Sequence, residues 1–205
     1  MNKIDLNKTT LRELNSKLHQ SKENEKWLVT NPKGNHAIAV GLDNFINVKI
    51  DGSTGYYCAG MNKKASIQVN GSVGPGVAEN MMSGKLIVEG NASQYAGATG
   101  HGGILVIKGN IGHMSAFMAQ SGKLIVCGDV GDSLGDSIYE AQIFVKGSVR
   151  SLGSDCIEKE VSTKHKHQLE QLLDESKINL KASKFKRYGS ARKLYNFDID
   201  NLSKY

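Results

Sequence analysis

The chain has few of the residues that commonly cross-link a protein or interrupt its backbone. Its 205 residues include two prolines, one tryptophan and three cysteines. The cysteines, Cys58, Cys127 and Cys156, form no CxxC pair, and their odd number argues against a disulfide framework. No apolar run reaches the ~18 residues that a membrane span needs, and the N-terminus lacks the layout of a signal peptide. We therefore expect a cytoplasmic protein that does not enter a membrane.

Charge is distributed unevenly along the chain. Residues 1–43 carry a net charge of +2, residues 44–161 carry −1 and residues 162–205 carry +5, which together give the total of +6. A basic C-terminal segment is compatible with nucleic-acid binding. However, it has no continuous basic block and its acidic residues are interspersed, which favours a solvated or protein-binding tail over a nucleic-acid partner.

Glycine is abundant, with 23 residues, and part of it is strictly periodic. Six glycines recur at intervals of 19 residues, and each follows a short apolar segment. They are Gly52, Gly71, Gly90, Gly109, Gly128 and Gly147. A repeat of this length predicts one supersecondary unit stacked on itself, which is a solenoid.

The segment before each glycine has the pattern of a β-strand. The fourth and second residues before every one of the six glycines are apolar, as in Leu86 and Val88. The intervals are too short for βαβ units, which need ~30 residues, and the similarity of all segments favours parallel register. We predict an all-β fold, a single-stranded parallel β-helix of six coils over residues 44–161, right-handed by the crossover rule. The glycines would form its corners, through positive φ or close backbone approach.

The third residue before each glycine should point away from the interior. In the first two coils it is polar, and in the last four it is apolar. The apolar residues form a stripe of Ile87, Val106, Ile125 and Phe144. A contiguous apolar surface usually has a cover, and either the chain's own C-terminal segment or another subunit could supply it.

Residues 1–43 and 162–205 are expected to cap the two ends of the solenoid. Thr10 and Glu13 fit a capping box that begins a helix with three leucines on one face. Segments 27–29 and 37–40 have the composition of strands that lead into the first coil.

At the other end, Ser162 or Thr163 would begin a second helix that carries Leu169, Leu172 and Leu173 on one side. The remaining tail, residues 184–205, is basic and aromatic, a composition suited to docking on another surface.

Catalytic patterns are weak throughout the chain. The glycines of segment 97–103 lack the lysine of a phosphate-binding loop and are better explained as coil corners. The histidines and cysteines occupy different positions in their coils, so they do not predict a metal site, and no nucleophile lies next to a base in the pattern. We therefore assign no catalytic, cofactor-binding or metal-ligating residue to this chain.

Several longer motifs resemble a known family. They are LRELN (11–15), NGSVGPGVAENMMSG (70–84), GNASQYAGATGHGG (90–103), GHMSAFMAQSGKLIVCGD (112–129), SLGSDCIEKE (151–160) and RYGSARKLYNF (187–197). The chain resembles the GXGXG family, which includes the C-terminal β-helix domain of glutamate synthase large subunits and the β-helix component of formylmethanofuran dehydrogenase. Within that family it is most similar to the stand-alone β-helix subunit of N-methylglutamate synthase (methylamine–glutamate N-methyltransferase).

This resemblance implies a division of labour. A glutaminase-like subunit with an N-terminal nucleophile and a synthase subunit with FMN and an iron–sulfur cluster would carry the chemistry, which converts methylamine and glutamate to N-methylglutamate and ammonia. The β-helix subunit would hold the two in register and border the route of the amine. It would bind no cofactor and contribute no catalytic residue to the hetero-oligomer.

The candidate contacts to such partners come from the motifs and the tail. They are His101, His113, Arg187, Tyr188, Arg192 and Tyr195. Two alternatives remain open at this point. The chain could serve as a scaffold of a formylmethanofuran dehydrogenase or a glutamate synthase-like enzyme, or it could be a free-standing binding solenoid.

Overall fold

The structure is a computed structural model that describes residues 1–192. Its strands are β1 (Asn2–Asp5), β2 (Lys26–Thr30), β3 (Asn47–Asp51), β4 (Ser66–Val69), β5 (Lys85–Val88), β6 (Ile104–Ile107), β7 (Lys123–Val126), β8 (Gln142–Val145), β9 (Cys156–Lys159) and β10 (Lys186–Ser190). Its helices are α1 (Leu11–His19) and α2 (Thr163–Glu175), with a 3-10 turn at Ala182–Lys184. One sheet contains all ten of these strands.

The predicted parallel β-helix is confirmed. Strands β1 to β8 lie in sequence order and pair in parallel, and in the repeat each residue pairs with the one 19 positions on, as Leu86 does with Leu105. The apolar residues that flank the outward position point into the solenoid, where Ile50 and Val88 are fully buried. The interior is a stack of like side chains, one set from each coil.

The glycine column holds the coils at close distance. From Gly90 onward, each of these glycines donates its N–H to the carbonyl of the one before, as Gly109 does to Gly90 at 3.0 Å. A Cβ on Gly109 would lie 2.7 Å from the carbonyl oxygen of Gly90. Of the six, Gly52 alone has a positive φ. Close backbone approach, and not a left-handed conformation, is therefore the reason for glycine at the other five corners.

A polar ladder lies beside the glycine column. The residue after each of the first five glycines accepts, through its side-chain oxygen, a hydrogen bond from the backbone N–H of its counterpart in the next coil. Asn91 accepts from Asn110 at 2.8 Å, and Asn110 accepts from Asp129 at 2.8 Å. The ladder satisfies backbone groups that the corner removes from the sheet.

Opposite the corner, the backbone takes an unusual alternating form. The fifth, seventh and ninth residues after each of the first five glycines have positive φ, as in Tyr95, Gly97 and Thr99. Their N–H groups bond alternately to the next and the preceding coil: Tyr95 to His113, then Gly97 to Val77. Residues 37–40 belong to the same kind of turn, so the prediction of a strand there is wrong. Positive φ at Ala37 and Ala39 is incompatible with an extended strand.

The N-terminal helix α1 has the predicted capping box. The hydroxyl of Thr10 accepts from the Glu13 N–H, and the Glu13 carboxylate accepts from the Thr10 N–H at 2.9 Å. Leu14 and Leu18 are fully buried against the first coil, and the Asn15 side chain bonds to the backbone of residues 37 and 39. The helix therefore closes the N-terminal end of the interior.

The second helix covers the apolar stripe. Ser162, and not Thr163, is the N-cap of α2. Leu169, Leu172 and Leu173 pack in one cluster with Val106, Ile125 and Phe144, which are at most 1% exposed, while Ile87 at the end of the stripe is partly buried. Lys85 pairs with Glu175 of α2 at 3.0 Å. The cover is thus the chain's own C-terminal segment.

The tail returns to the sheet. Strand β10 lies antiparallel between β8 and β9, with Tyr188 opposite Ile143 on one side and Glu158 on the other. Residues 186–190 therefore extend the sheet of their own chain, whereas the sequence indicated docking on another surface. The composition of the segment did not reveal its pairing, because β10 follows no period of the repeat.

Replacement of Gly109 by alanine should show the cost of a side chain in the glycine column. The new Cβ meets backbone in the preceding coil, so we expect a loss of about 1–3 kcal/mol in the free energy of unfolding. Urea denaturation measures it. Gly60→Ala is the control, because a Cβ there has only contacts of 3.5 Å. Equal stability of the two variants would contradict the role of close approach.

Replacement of Met118 by glycine should stabilise the fold. Met118 is 38% exposed and has a φ of 48°, so glycine relieves backbone strain and little packing is lost. We expect a gain of up to about 1 kcal/mol in thermal or urea unfolding. Met82→Gly is the matched control, since Met82 is similarly exposed but outside the positive-φ set, and it should lose about 0.5–1 kcal/mol.

Replacement of Ile125 by aspartate should release α2 from the sheet. A carboxylate has no partner beneath α2, so we expect a loss of about 2–4 kcal/mol and faster proteolysis of residues 160–185. Lys49→Asp is the control, because Lys49 holds the same coil position in an exposed part of the sheet. If both variants behave like the native protein, α2 does not depend on the stripe.

Candidate functional site

The outer surface of the alternating turns is the part of the molecule where apolar side chains remain exposed. We call it the turn face and define it as the fourth to the eleventh residue after each of the first five glycines of the repeat. Within residues 1–192, it contains six of the ten exposed large hydrophobic residues. These are Tyr56, Tyr57, Met61, Met82, Tyr95 and Met118.

Four of these side chains stand on residues with positive φ. Tyr57, Met61, Tyr95 and Met118 are between 38% and 50% exposed and adopt φ between 48° and 60°. A bulky residue in this region costs about 1–2 kcal/mol relative to glycine. Burial does not offset that cost, because the side chains face solvent. Large side chains that strain the backbone and add nothing to the buried core indicate that this surface binds a partner molecule.

Aromatic rings form a band along the turn face. His36 stacks on Tyr56 with ring centroids 3.7 Å apart, and Tyr56 meets Tyr57 edge-on at 5.3 Å. Further along, Tyr95 meets His113 at 5.6 Å. The regular coil spacing thus aligns rings that are many residues apart in the chain.

Charge is nearly absent from the middle of this face. In the coils that follow Gly71, Gly90 and Gly109, Glu79 is the only Asp, Glu, Lys or Arg of the turn face. Tyrosine and methionine are enriched in protein–protein interfaces, and charged residues are depleted at their centres. The composition of the turn face is therefore typical of an interface with another protein.

The candidate partner contacts do not come together at one place. His101 and His113 are exposed on the turn face. Arg187 and Tyr188 lie on β10, where the Arg187 Nε donates to the carbonyl of Glu160 at 2.9 Å. Tyr188 is 5% exposed and packs in the interior, so it is not available to a partner in this fold.

The last two candidates lie at or beyond the end of the described chain. Arg192 pairs with Asp155 next to β9, and Tyr195 lies outside the described residues. The tyrosines and methionines of the turn face were missed, although one signal was visible: large apolar residues recur at the fifth and ninth positions after a glycine.

The three thiols are poorly suited to nucleophilic chemistry. Burial raises the pKa of Cys58 to about 11 and that of Cys156 to about 11, and it also raises the pKa of Cys127. All three are free cysteines. Because the thiolate is the reactive form, these groups stay protonated and unreactive near neutral pH.

Two further features of residues 1–192 bear on the kind of site. In that part of the chain, no group of three or more His, Cys, Asp and Glu side chains is arranged to hold a metal ion. No helix in the described segment is both long and apolar enough to cross a membrane.

Comparison with known proteins gives one clear relative. No protein-family model matches the chain. The chain is 56% identical over 225 aligned positions to Protein GlxC of Rhizobium meliloti (strain 1021), an alignment that covers 98% of this chain and 99% of that protein. The alignment extends over the solenoid and both of its caps. At this identity and coverage, the chain belongs to the same family as Protein GlxC.

Proposed function

We propose that this chain is a non-catalytic bridging subunit of a glutamate synthase-like complex of the N-methylglutamate synthase type. In this role it holds a glutaminase-like subunit and an FMN/iron–sulfur synthase subunit in register. The turn face is the observation that carries the proposal, because it exposes tyrosine and methionine at strained backbone positions. The sequence motifs that resemble the GXGXG family supply the identity of the complex.

The two sides of the solenoid differ in whether a partner can reach them. The sheet side of β6 to β8 is already covered by α2, so a partner there would have to displace a packed helix. The turn face carries no such cover from the described residues. We therefore assign partner binding to the turn face, and not to the apolar stripe.

The stiffness of the solenoid suits this role. Each coil is bonded to its neighbours through the sheet, the glycine column and the turns, so the distance between two points along the axis is fixed. Eight parallel strands at about 4.8 Å give a rod of roughly 35–40 Å. Two active sites held on such a rod keep a constant separation, which favours transfer of an intermediate between them.

The reaction itself belongs to the partners in this proposal. FMN and the iron–sulfur cluster are expected on the synthase subunit, and the nucleophile on the glutaminase-like subunit. The thiols of this chain, whose pKa values are raised by burial, are unsuited to either task. Its contribution is to bind both partners and to border the path of the amine between them.

Affinity purification of the tagged chain from its source tests the proposal. We expect two further chains, one with the visible absorption of FMN, and a complex that converts methylamine and glutamate to N-methylglutamate and ammonia. The isolated chain should have no such activity. Recovery of the chain alone would contradict the bridging role, and partners of another kind would contradict the assignment to this complex.

A further inference from the structure

The aromatic band of the turn face is interrupted by one cleft. Gly76 occupies the position that Tyr57 holds in the coil before and Tyr95 in the coil after. The gap opens a cleft of about 450 Å³, lined by the two tyrosines together with Tyr56, Pro75, Gly76, Glu79 and Gln94. We call this the Gly76 cleft.

Glycine at position 76 keeps the cleft open. Its φ is 69°, and a Cβ there would lie 3.0 Å from the ring of Tyr57 and 2.7 Å from Oε2 of Glu79. Any larger residue would displace one or both. The Tyr57 ring and the Glu79 carboxylate therefore both lie close to Gly76, in space that a side chain at this position would occupy.

The Glu79 carboxylate is not neutralised by its surroundings. Within residues 1–192 its side chain makes no hydrogen bond and no ion pair, and it is partly buried. That burial raises its pKa. A carboxylate that loses hydration without gaining a partner costs stability, and a cation bound beside it would restore the balance.

The walls of the cleft suit the same kind of group. The faces of tyrosine rings attract Lys and Arg cations, and the attraction increases when water is excluded. Here two tyrosines flank a lone carboxylate, and the turn-face residues that follow Gly71, Gly90 and Gly109 include no Lys or Arg. Lys63, at the end of the turn face in the coil of Tyr57, is paired with Asp43. Charge complementarity therefore selects a cation supplied from outside this face.

We propose that the Gly76 cleft receives a Lys or Arg side chain from an extended segment of a partner protein, held between Tyr57 and Tyr95 and paired with Glu79. The proposal rests on the proposed function for the existence of the partner. Beyond that function, the cleft specifies where the partner inserts a side chain and that this side chain is a cation. The exposed tyrosines and methionines around the cleft would pack against the apolar residues that flank that side chain.

Two variants test the cleft in the tagged full-length chain. Glu79→Gln removes the charge and keeps the shape, and Tyr95→Ala removes one wall. We expect each to reduce retention of the partner about tenfold, because a loss of that size corresponds to the binding free energy of one shielded cation–π or charge pair. The matched controls are Glu170→Gln on the exposed surface of α2 and Ile157→Ala on β9, which should retain the partner fully.

The folded state of each variant is checked by its urea midpoint. If Glu79→Gln and Tyr95→Ala are folded and retain the partner as well as the native chain, the proposal is overturned. If the native chain recovers no partner, the proposed function fails instead, and the cleft is then tested alone.

That second test uses NMR of the purified protein and the blocked tripeptide acetyl-Gly-Arg-Gly-amide. We expect amide shifts at Gly76 and Glu79 in the native protein and none in Glu79→Gln. The absence of shifts at tens of millimolar peptide would overturn the proposal. Removal of residues 193–205 should leave these signals unchanged, and a change would assign the cleft to the chain's own tail and overturn a partner as its occupant.

Discussion

Everything in this molecule depends on coils that approach one another without a side chain at the corner. The N–H of one corner glycine bonds to the carbonyl of the corner glycine before it. The 19-residue period also places each of the remaining residues above its counterpart in the preceding coil. If the period slipped by one residue, the interior set of side chains would move to the outside. The regular length of the coil is therefore a condition for the interior, the sheet and the turn face together.

The alignment has different results on the two sides of the coil. On the sheet side it collects apolar residues into a stripe, which α2 then buries. On the turn side it collects tyrosine, methionine and histidine into a band that stays exposed. Aligned apolar and aromatic side chains thus stabilise the fold on the sheet side and are suited to binding a partner on the turn side. The difference lies in whether residues 1–192 supply a cover.

Much of the fold could be predicted, because the 19-residue period of glycines and apolar residues indicates the stacked coils directly. Strands β3 to β8, both helices and the apolar stripe follow from apolar residues at fixed intervals and from Thr10 and Ser162 at helix starts. The alternating turns could not be foreseen, because Tyr57 or Met118 at positive φ opposes local preference, and only bonds between coils hold such residues there. Tyr188 was misjudged for a related reason: its partners in β8 and β9 are distant in sequence.

Strand β10 has a consequence for how the molecule ends. It pairs antiparallel with β8, so it occupies the edge of β8 on which a further coil of the repeat would stack. Strand β9 reaches the sheet only through β10, which means that this end of the rod closes last, after residue 190 has been synthesised. One reversed strand thereby ends the column of repeats at β8, and β9, which runs in the same direction as β1 to β8, becomes the last strand of the sheet.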